Sequence, residues 1–108
     1  MVDDVRLVGG TSNCTGRLEL KHQREWRPVH PDGWEQKSSS VACGQLGCGS
    51  AVSTEQRGGS TDQPTWSVTS NCVGSEYSLR ECGTIRSKTS SSSLGLICSG
   101  DIMVIKQK

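Results

Sequence analysis

The chain has 108 residues, a length that suits one domain, and its formal net charge is +1. With 12 basic and 11 acidic residues, it has no strong field of one sign, which argues against nucleic acid or an anionic membrane as partner. Only 31% of the residues are hydrophobic and none is phenylalanine, so a core alone supports the fold poorly. Six cysteines in so small a chain indicate disulfides, which are typical of secreted and cell-surface proteins and argue against a cytosolic enzyme.

The first part of the chain has the patterns of β-strands. Residues 5–8 are rich in β-branched side chains, and residues 9–13 have the composition of a turn. Residues 16–22 alternate apolar and charged side chains, as a half-buried strand does. The alternation resumes over residues 24–29 after a break at Gln23, which predicts a β-hairpin.

A helix is predicted between Trp34 and Leu46. Apolar and small side chains recur there at the helical period, so one face of the helix should be buried. Asp32 is the candidate N-cap, with Glu35 three residues later, and Gly47 follows the last helical residue, where glycine commonly ends a helix.

The second half of the chain is predicted to alternate loops and short strands. Glycine, serine, aspartate and proline over residues 58–64 predict a long, mobile surface loop, followed by a short strand at residues 65–69. Residues 75–81 have room for one or two helical turns. Residues 87–93 are serine-rich and predicted to be an exposed loop, whereas residues 94–98 return to an apolar strand pattern.

The six cysteines allow fifteen pairings, and spacing alone does not choose among them. Cys43 and Cys48 lie at the end of the predicted helix with diverging side chains, so each is expected to bond a more distant partner. Zinc is disfavoured, because the cysteine spacings lack the short C-x2-C knuckle and neither histidine lies at ligand spacing from a cysteine.

A longer pattern resembles the scavenger receptor cysteine-rich (SRCR) domain. The similar residues follow in order, at the family's spacing, over about residues 5–99. The resemblance implies an α+β fold, in which a curved, mainly antiparallel sheet cradles one main helix, and it assigns that helix to the segment predicted above by periodicity. The matching segments are VRLVGG (5–10), CTGRLEL (14–20), Trp26, DGW (32–34), VACGQLGCG (41–49), CVGSE (72–76), LREC (79–82) and LIC (96–98).

Group B members of that family usually carry eight cysteines, and this chain lacks the second and the seventh. His30 stands at the second position, and the seventh would fall within residues 84–93. Because these two bond to each other in the family, the resemblance implies that one bridge is missing and that residues 87–93 are joined to His30 only by weaker contacts. The three implied disulfides are Cys14–Cys48, Cys43–Cys98 and Cys72–Cys82.

The resemblance also sets the expected domain limits. Residues 5–99 would form the SRCR domain, residues 1–4 a linker or an expression remnant, and residues 100–108 a tail or linker, in which residues 102–105 could add a strand. No run approaches the roughly 18 apolar residues of a membrane span, and the first residues do not resemble a signal peptide. We therefore expect one module of a longer extracellular protein.

Many SRCR domains bind Ca²⁺ through an Asp-Asp pair before the Gly-Trp position and a glutamate in the Cys-x-Gly-x-Glu segment. Here Pro31-Asp32 stands for the pair and Glu76 for the glutamate. Ca²⁺ takes six to eight oxygen ligands, so a set missing one carboxylate is a degenerate cation site. We expect no metal and no cofactor.

Other candidate sites are few. His22 and His30 lie among predicted surface residues with no nucleophile pattern beside them, so no catalytic group is expected. Asn13-Cys14-Thr15 is an acceptor sequence for N-glycosylation. The three tryptophans should supply core that phenylalanine does not, although one of them could instead lie in a binding surface. The ligand-binding candidates are Trp66, Arg80, Arg86 and Lys88.

The function expected from the resemblance is non-catalytic ligand recognition outside the cell or at its surface. The partner would be an extracellular protein or a polyanionic ligand, and the parent chain would be membrane-anchored or soluble and would contain further SRCR domains. The pattern of missing cysteines is closer to lymphocyte surface glycoproteins than to macrophage scavengers. The alternatives are an accessory domain of a larger secreted enzyme, such as a serine protease or lysyl oxidase, and a unit of a soluble pattern-recognition protein.

Overall fold

A computed structural model describes residues 2–100, which form a mostly antiparallel sheet with one α-helix. A 3₁₀ turn at Leu79–Glu81 lies between the last two strands. The architecture agrees with the predicted α+β class. The strands and the helix are β1 (Asp4–Gly9), β2 (Thr15–His22), β3 (Glu25–Pro28), α1 (Gln36–Gln45), β4 (Ala51–Ser70) and β5 (Gly83–Cys98).

The sheet runs in the order β1-β2-β5-β4, with β3 on the same side of β2 as β5. Strand β2 is shared along its length, because residues 15–17 pair with β5 and residues 19–22 pair with β3. A parallel bridge joins Val29 to Trp66, just after β3. The chain after β3 therefore connects the first hairpin to the middle of the long β4–β5 hairpin.

The β2–β3 hairpin confirms the break predicted at Gln23. His22 pairs with Glu25, so Gln23 and Arg24 alone form the connection. Both have positive φ, 52° and 67°, as both central residues of a type I′ turn must. Neither is the glycine or asparagine that favours this conformation, so the flanking strands determine the turn.

Helix α1 begins later than the pattern predicted. It starts at Gln36, with Glu35 at the N-cap position and no side-chain cap hydrogen bond. Asp32 is exposed and lies outside the helix, so its predicted role as the N-cap is wrong. The predicted buried face is largely confirmed, because the helix buries Ser38, Ser39, Val41, Ala42 and Cys43.

Strands β4 and β5 replace two predicted loops. Residues 58–64 belong to β4, and residues 87–93 belong to β5 and pair with β4. The ladder is irregular at two places, between Ala51 and Ser53 and between Gly58 and Gln63, where residues 59–62 have no partner in β5. The loop predicted at residues 87–93 is therefore a strand, whereas the loop predicted at residues 58–64 keeps an unpaired bulge at residues 59–62.

The folded unit includes residues before the expected boundary at residue 5. Val2 is 1% exposed, and Asp3 donates its main-chain N–H to the Lys21 carbonyl at 2.8 Å. At the other end, Gly100 donates to the Cys48 carbonyl at 2.6 Å. The strand considered for residues 102–105 lies outside the described residues.

Three disulfides hold the layers together, with the pairing that the resemblance implied. Helix α1 is bonded to the end of β5 by the bridge that closes the longest segment, 55 residues. The other two close 34 and 10 residues. No cysteine is free in the described range, 2–100. The bridges are Cys14–Cys48, Cys43–Cys98 and Cys72–Cys82.

Candidate ligand-binding surface

Two of the predicted binding residues lie side by side on β5. Arg86 and Lys88 are two positions apart, so they share one face of the strand, and both are exposed. Within residues 2–100, neither has a carboxylate oxygen within 4.0 Å. Residues 84–89 with these two cations are called the basic edge below.

A hydroxyl-bearing residue of β4 lies opposite each of the two cations. Lys88 lies opposite Thr65 and Arg86 lies opposite Ser67 in the β4–β5 ladder. The Thr65 hydroxyl is buried and donates to the Lys88 carbonyl at 2.8 Å, which fixes the backbone below the lysine. The ladder from residue 65 to 70 and from 83 to 90 contains no acidic residue, so the positive charge there is not neutralised locally.

Trp66 is a core residue and not part of a binding surface, which corrects one of the predicted candidates. Its side chain is 4% exposed. The Arg27 guanidinium lies 3.9 Å from the ring centroid, and the His22 ring packs edge-on at 5.0 Å. The indole N–H donates to the Glu25 carbonyl at 3.3 Å. Trp66 therefore joins β4 to the β2–β3 hairpin.

Arg80 lies outside the β4–β5 ladder, so strand pairing does not bring it next to Arg86 and Lys88. It is exposed on the 3₁₀ turn, before β5 begins at Gly83. The turn itself is held by Glu81, whose carboxylate accepts main-chain hydrogen bonds from Tyr77 and Ser78 at 2.8 and 3.0 Å. We therefore build the candidate site on Arg86 and Lys88.

The carboxylate of Glu76, in the degenerate cation site, accepts hydrogen bonds from the main chain. Its carboxylate oxygens accept hydrogen bonds from the N–H groups of Val73 and Gly74 at 2.9 and 3.0 Å. The Val73 hydrogen bond is the main cause that holds the pKa of Glu76 below its ordinary value. The carboxylate thus organises the loop between Cys72 and Cys82.

Asp32 does not join Glu76 in a cluster of ligands. In the described part of the chain, the one group of three potential ligand atoms within 4.8 Å of one another is Cys72, Glu76 and Cys82. Both cysteine sulfurs are in a disulfide, so they are not available as thiolates. The absence of a metal site stays a prediction.

Of the two histidines, His30 is buried and His22 is half-buried. His30, expected at the surface, is 7% exposed, and its Nδ1 accepts a hydrogen bond from the Asp32 N–H at 3.1 Å. The His30 N–H donates to the Trp66 carbonyl at 2.9 Å. His22 packs against Trp66. Both histidines therefore have structural contacts at the junction of the two hairpins.

Arg27 on β3, rather than His30 as expected, makes the side-chain contact with residues 87–93. Its guanidinium passes over the Trp66 ring and donates to the Ser87 hydroxyl at 2.8 Å. A carboxylate oxygen of Glu25 accepts from the same guanidinium, and this hydrogen bond is the main cause that lowers the pKa of Glu25. Arginine contacts thus link β3 to β5.

Asn13 is exposed in the connection between β1 and β2, next to Cys14. An acceptor asparagine on an exposed turn is accessible for modification. Its glycosylation stays a prediction.

Sequence reasoning missed a charge cluster on the first hairpin. Glu19 is 5% exposed, and its carboxylate accepts from Arg6 and Arg17, each at 2.6 Å. The Arg6 guanidinium also lies 4.1 Å from the Trp26 ring centroid. Arg6 lies opposite Glu19 in the β1–β2 register. A prediction of that register from the sequence would have identified this pair.

The site is an open surface. No cavity that could enclose a small ligand is present in residues 2–100. No helix in that range is long and apolar enough to cross a membrane.

Comparison with known proteins decides the family. The model of the scavenger receptor cysteine-rich domain matches residues 8–99. The chain belongs to the SRCR family. The solved structure of CD5 domain III, a group B SRCR domain, superimposes with a TM-score of 0.64 at 19% sequence identity, covering 88% of this chain and 92% of that one. At that identity, the likeness shows the fold.

Two relatives show where such domains occur. Human CD5 antigen-like is 40% identical over 83 residues, which are 74% of this SRCR domain's chain and 24% of the relative. Lysyl oxidase homolog 4 of Bos taurus is 36% identical over 102 residues, 88% of this chain and 14% of the relative. The chain thus spans a quarter or less of these relatives. SRCR domains occur in extracellular and cell-surface receptors and generally mediate binding there.

Proposed function

We propose that this SRCR domain is a non-catalytic recognition module of an extracellular protein and that it binds anionic ligands through the basic edge. The observation that carries the proposal is the pair Arg86 and Lys88, exposed on one face of β5 and without a carboxylate partner in the described range. By contrast, Arg6 and Arg17 share the Glu19 carboxylate, and Arg57 pairs with Glu55.

The shape of the surface supports a large ligand over a small one. The domain has no cavity within residues 2–100, and small-molecule sites are concave. Two exposed cations on one face of a strand suit an extended chain of anionic groups, each of which can contact a cation. Because the whole chain carries only +1, attraction should be local and strongly weakened by salt.

A non-catalytic role is supported by the contacts of the histidines. His30 is buried and accepts a main-chain hydrogen bond, and His22 packs against Trp66. Neither is presented at an open site as a general base needs to be.

Retention on immobilised heparin tests the proposal. The double variant R86Q/K88Q removes the two cations of the basic edge, whereas the control R24Q/K37Q removes two exposed cations from the hairpin turn and helix α1. We expect R86Q/K88Q to elute at clearly lower salt than the wild type and the control to elute close to it. Equal losses in both variants would mean that net charge alone causes retention and would contradict the proposed site.

A second candidate is an accessory domain of a larger secreted enzyme. Lysyl oxidase homolog 4 supports it, because its match covers 88% of this chain. If the parent chain is instead a receptor or a soluble pattern-recognition protein, we propose that it contains further SRCR domains. The sequence of the parent chain distinguishes the cases, since a catalytic domain would support the accessory role and a repeated cysteine pattern the tandem one.

A further inference from the structure

The main chain of β5 offers unpaired hydrogen-bonding groups along the basic edge. The Trp66 carbonyl accepts from His30, so it points away from β5, and Trp66 opposite Ser87 is a non-hydrogen-bonded pair of the ladder. Pro64 opposite Thr89 agrees with this alternation, because proline has no N–H to donate. The N–H and C=O groups of Ile85, Ser87 and Thr89 therefore point away from β4.

No strand covers these groups in the part of the chain that the structure describes. Strand β2 pairs with β5 only through residues 95–97 of β5. Residues 84 and 86–89 are exposed, and Ile85 is half-buried. Residues 85–89 thus form an open strand edge, beside the two cations.

We propose that this edge binds an extended, acidic segment of a partner protein, which adds to the sheet as a further antiparallel strand. This proposal deepens the proposed function and rests on it for the role of Arg86 and Lys88. Strand addition takes its affinity from main-chain hydrogen bonds and its specificity from alternate side chains. Acidic residues opposite Arg86 and Lys88 lie in non-hydrogen-bonded pairs, where side chains approach most closely.

Charge favours an acidic partner over a second copy of this chain. An antiparallel pairing of two copies centred on Ser87 would place Arg86 of each copy opposite Lys88 of the other. Like charges directly opposite each other destabilise a strand pair, and basic side chains on an edge commonly prevent such self-pairing. The same two cations attract a strand with acidic residues at alternate positions.

A peptide of alternating threonine and glutamate, capped at both ends, tests this proposal with the unmodified domain. When its glutamates face Arg86 and Lys88, its threonine N–H groups point towards β5. Methylation of the threonine nitrogens therefore blocks strand addition, whereas methylation of the glutamate nitrogens leaves the inner edge intact. The two analogues carry the same charge and the same number of methyl groups, so each is the control for the other.

We expect the parent peptide and the glutamate-methylated analogue to bind and to slow hydrogen exchange at the amides of Ile85, Ser87 and Thr89. The threonine-methylated analogue should bind about tenfold or more weakly, since it loses several main-chain hydrogen bonds of about 1 kcal/mol each. R86Q/K88Q should weaken binding of the parent peptide.

Equal binding of the two methylated analogues would overturn strand addition, as would binding that leaves these three amides unprotected. Neither result would affect the proposed function if heparin retention still depended on Arg86 and Lys88. Loss of heparin retention in the control variant as well would contradict the proposed function, whatever the peptides do.

Discussion

At the scale of the residue, Glu76 shows how the glutamate of a degenerate cation site serves the fold. Its carboxylate accepts two main-chain hydrogen bonds within the loop closed by Cys72 and Cys82. The carboxylate gives two main-chain N–H groups a partner, and these hydrogen bonds favour its ionised form.

The pKa of Glu76 predicts a pH-dependent contribution to stability. Because the folded pKa lies below the ordinary value of 4.5, the contribution is fully present above pH 4.5 and is lost as the pH falls through the folded pKa. We expect the melting temperature of Glu76→Gln to lie below that of the wild type at neutral pH, with the gap narrowing in acid. Thermal unfolding across this range measures the gap.

Glu35→Gln is the matched control, since Glu35 is exposed and makes no cap hydrogen bond. Its melting temperature should follow that of the wild type at every pH. A gap for Glu76→Gln that does not change with pH would contradict the role of the charged carboxylate.

His30 shows why some residues could not be interpreted from the sequence. A histidine beside proline is typical of a solvated turn, yet His30 is 7% exposed. Its burial follows from the contact with Trp66, which is far away in the sequence and in a segment predicted as a separate strand. Only the three-dimensional connection between the two hairpins reveals it.

At the scale of the element, the first hairpin was predictable, whereas of the second only the strands at residues 65–69 and 94–98 were predicted. Alternation over residues 16–22 and 24–29 predicted β2 and β3, because one face of each is buried and the pattern records that burial. Residues 58–64 and 87–93 contain turn-forming and serine residues with little apolar pattern, yet residues 58, 63 and 64 pair with residues 92, 90 and 89. The hydrogen bonds of that ladder are non-local, so local composition did not predict them.

The β1–β2 ladder requires glycine at Gly16. The φ of this residue is +141°, and a Cβ there would lie 2.4 Å from the carbonyl oxygen of Val8, which is main chain and cannot move without breaking the ladder. We expect Gly16→Ala to lower the free energy of unfolding by about 1–3 kcal/mol. Chemical denaturation measures the change.

Gly44→Ala is the opposite case. Gly44 lies inside α1, and a Cβ there would meet no atom within 4 Å, so alanine should stabilise the domain by up to about 1 kcal/mol. A similar loss of stability in both variants would mean that the close approach of Gly16 to Val8 is not the cause.

At the scale of the whole molecule, disulfides compensate for a small core. The order of the cysteines matched the family pattern and so predicted all three pairs, whereas spacing alone left the pairing open. The bridge from Cys43 to Cys98 closes 55 residues and that from Cys72 to Cys82 closes 10. In the loop-entropy model they contribute about 4 and about 3 kcal/mol, respectively.

Replacing each pair by alanine should therefore destabilise the domain unequally. We expect the C43A/C98A variant to have the lower free energy of unfolding, because it releases the longer segment and disconnects α1 from β5. Urea denaturation of the two variants, with peptide mapping to confirm the bridges that remain, measures the difference. A larger loss in C72A/C82A would contradict this order.

The central claim is that recognition takes place at the basic edge of β5. The measurement that tests it most directly is a map of amide chemical shifts during titration of the isotope-labelled domain with a sulfated oligosaccharide. We predict that the largest changes fall on residues 84–89 and on their ladder partners at residues 65–69, and that added salt reverses them. Changes concentrated around Arg24 or Lys37, or spread evenly over the surface, would contradict the account.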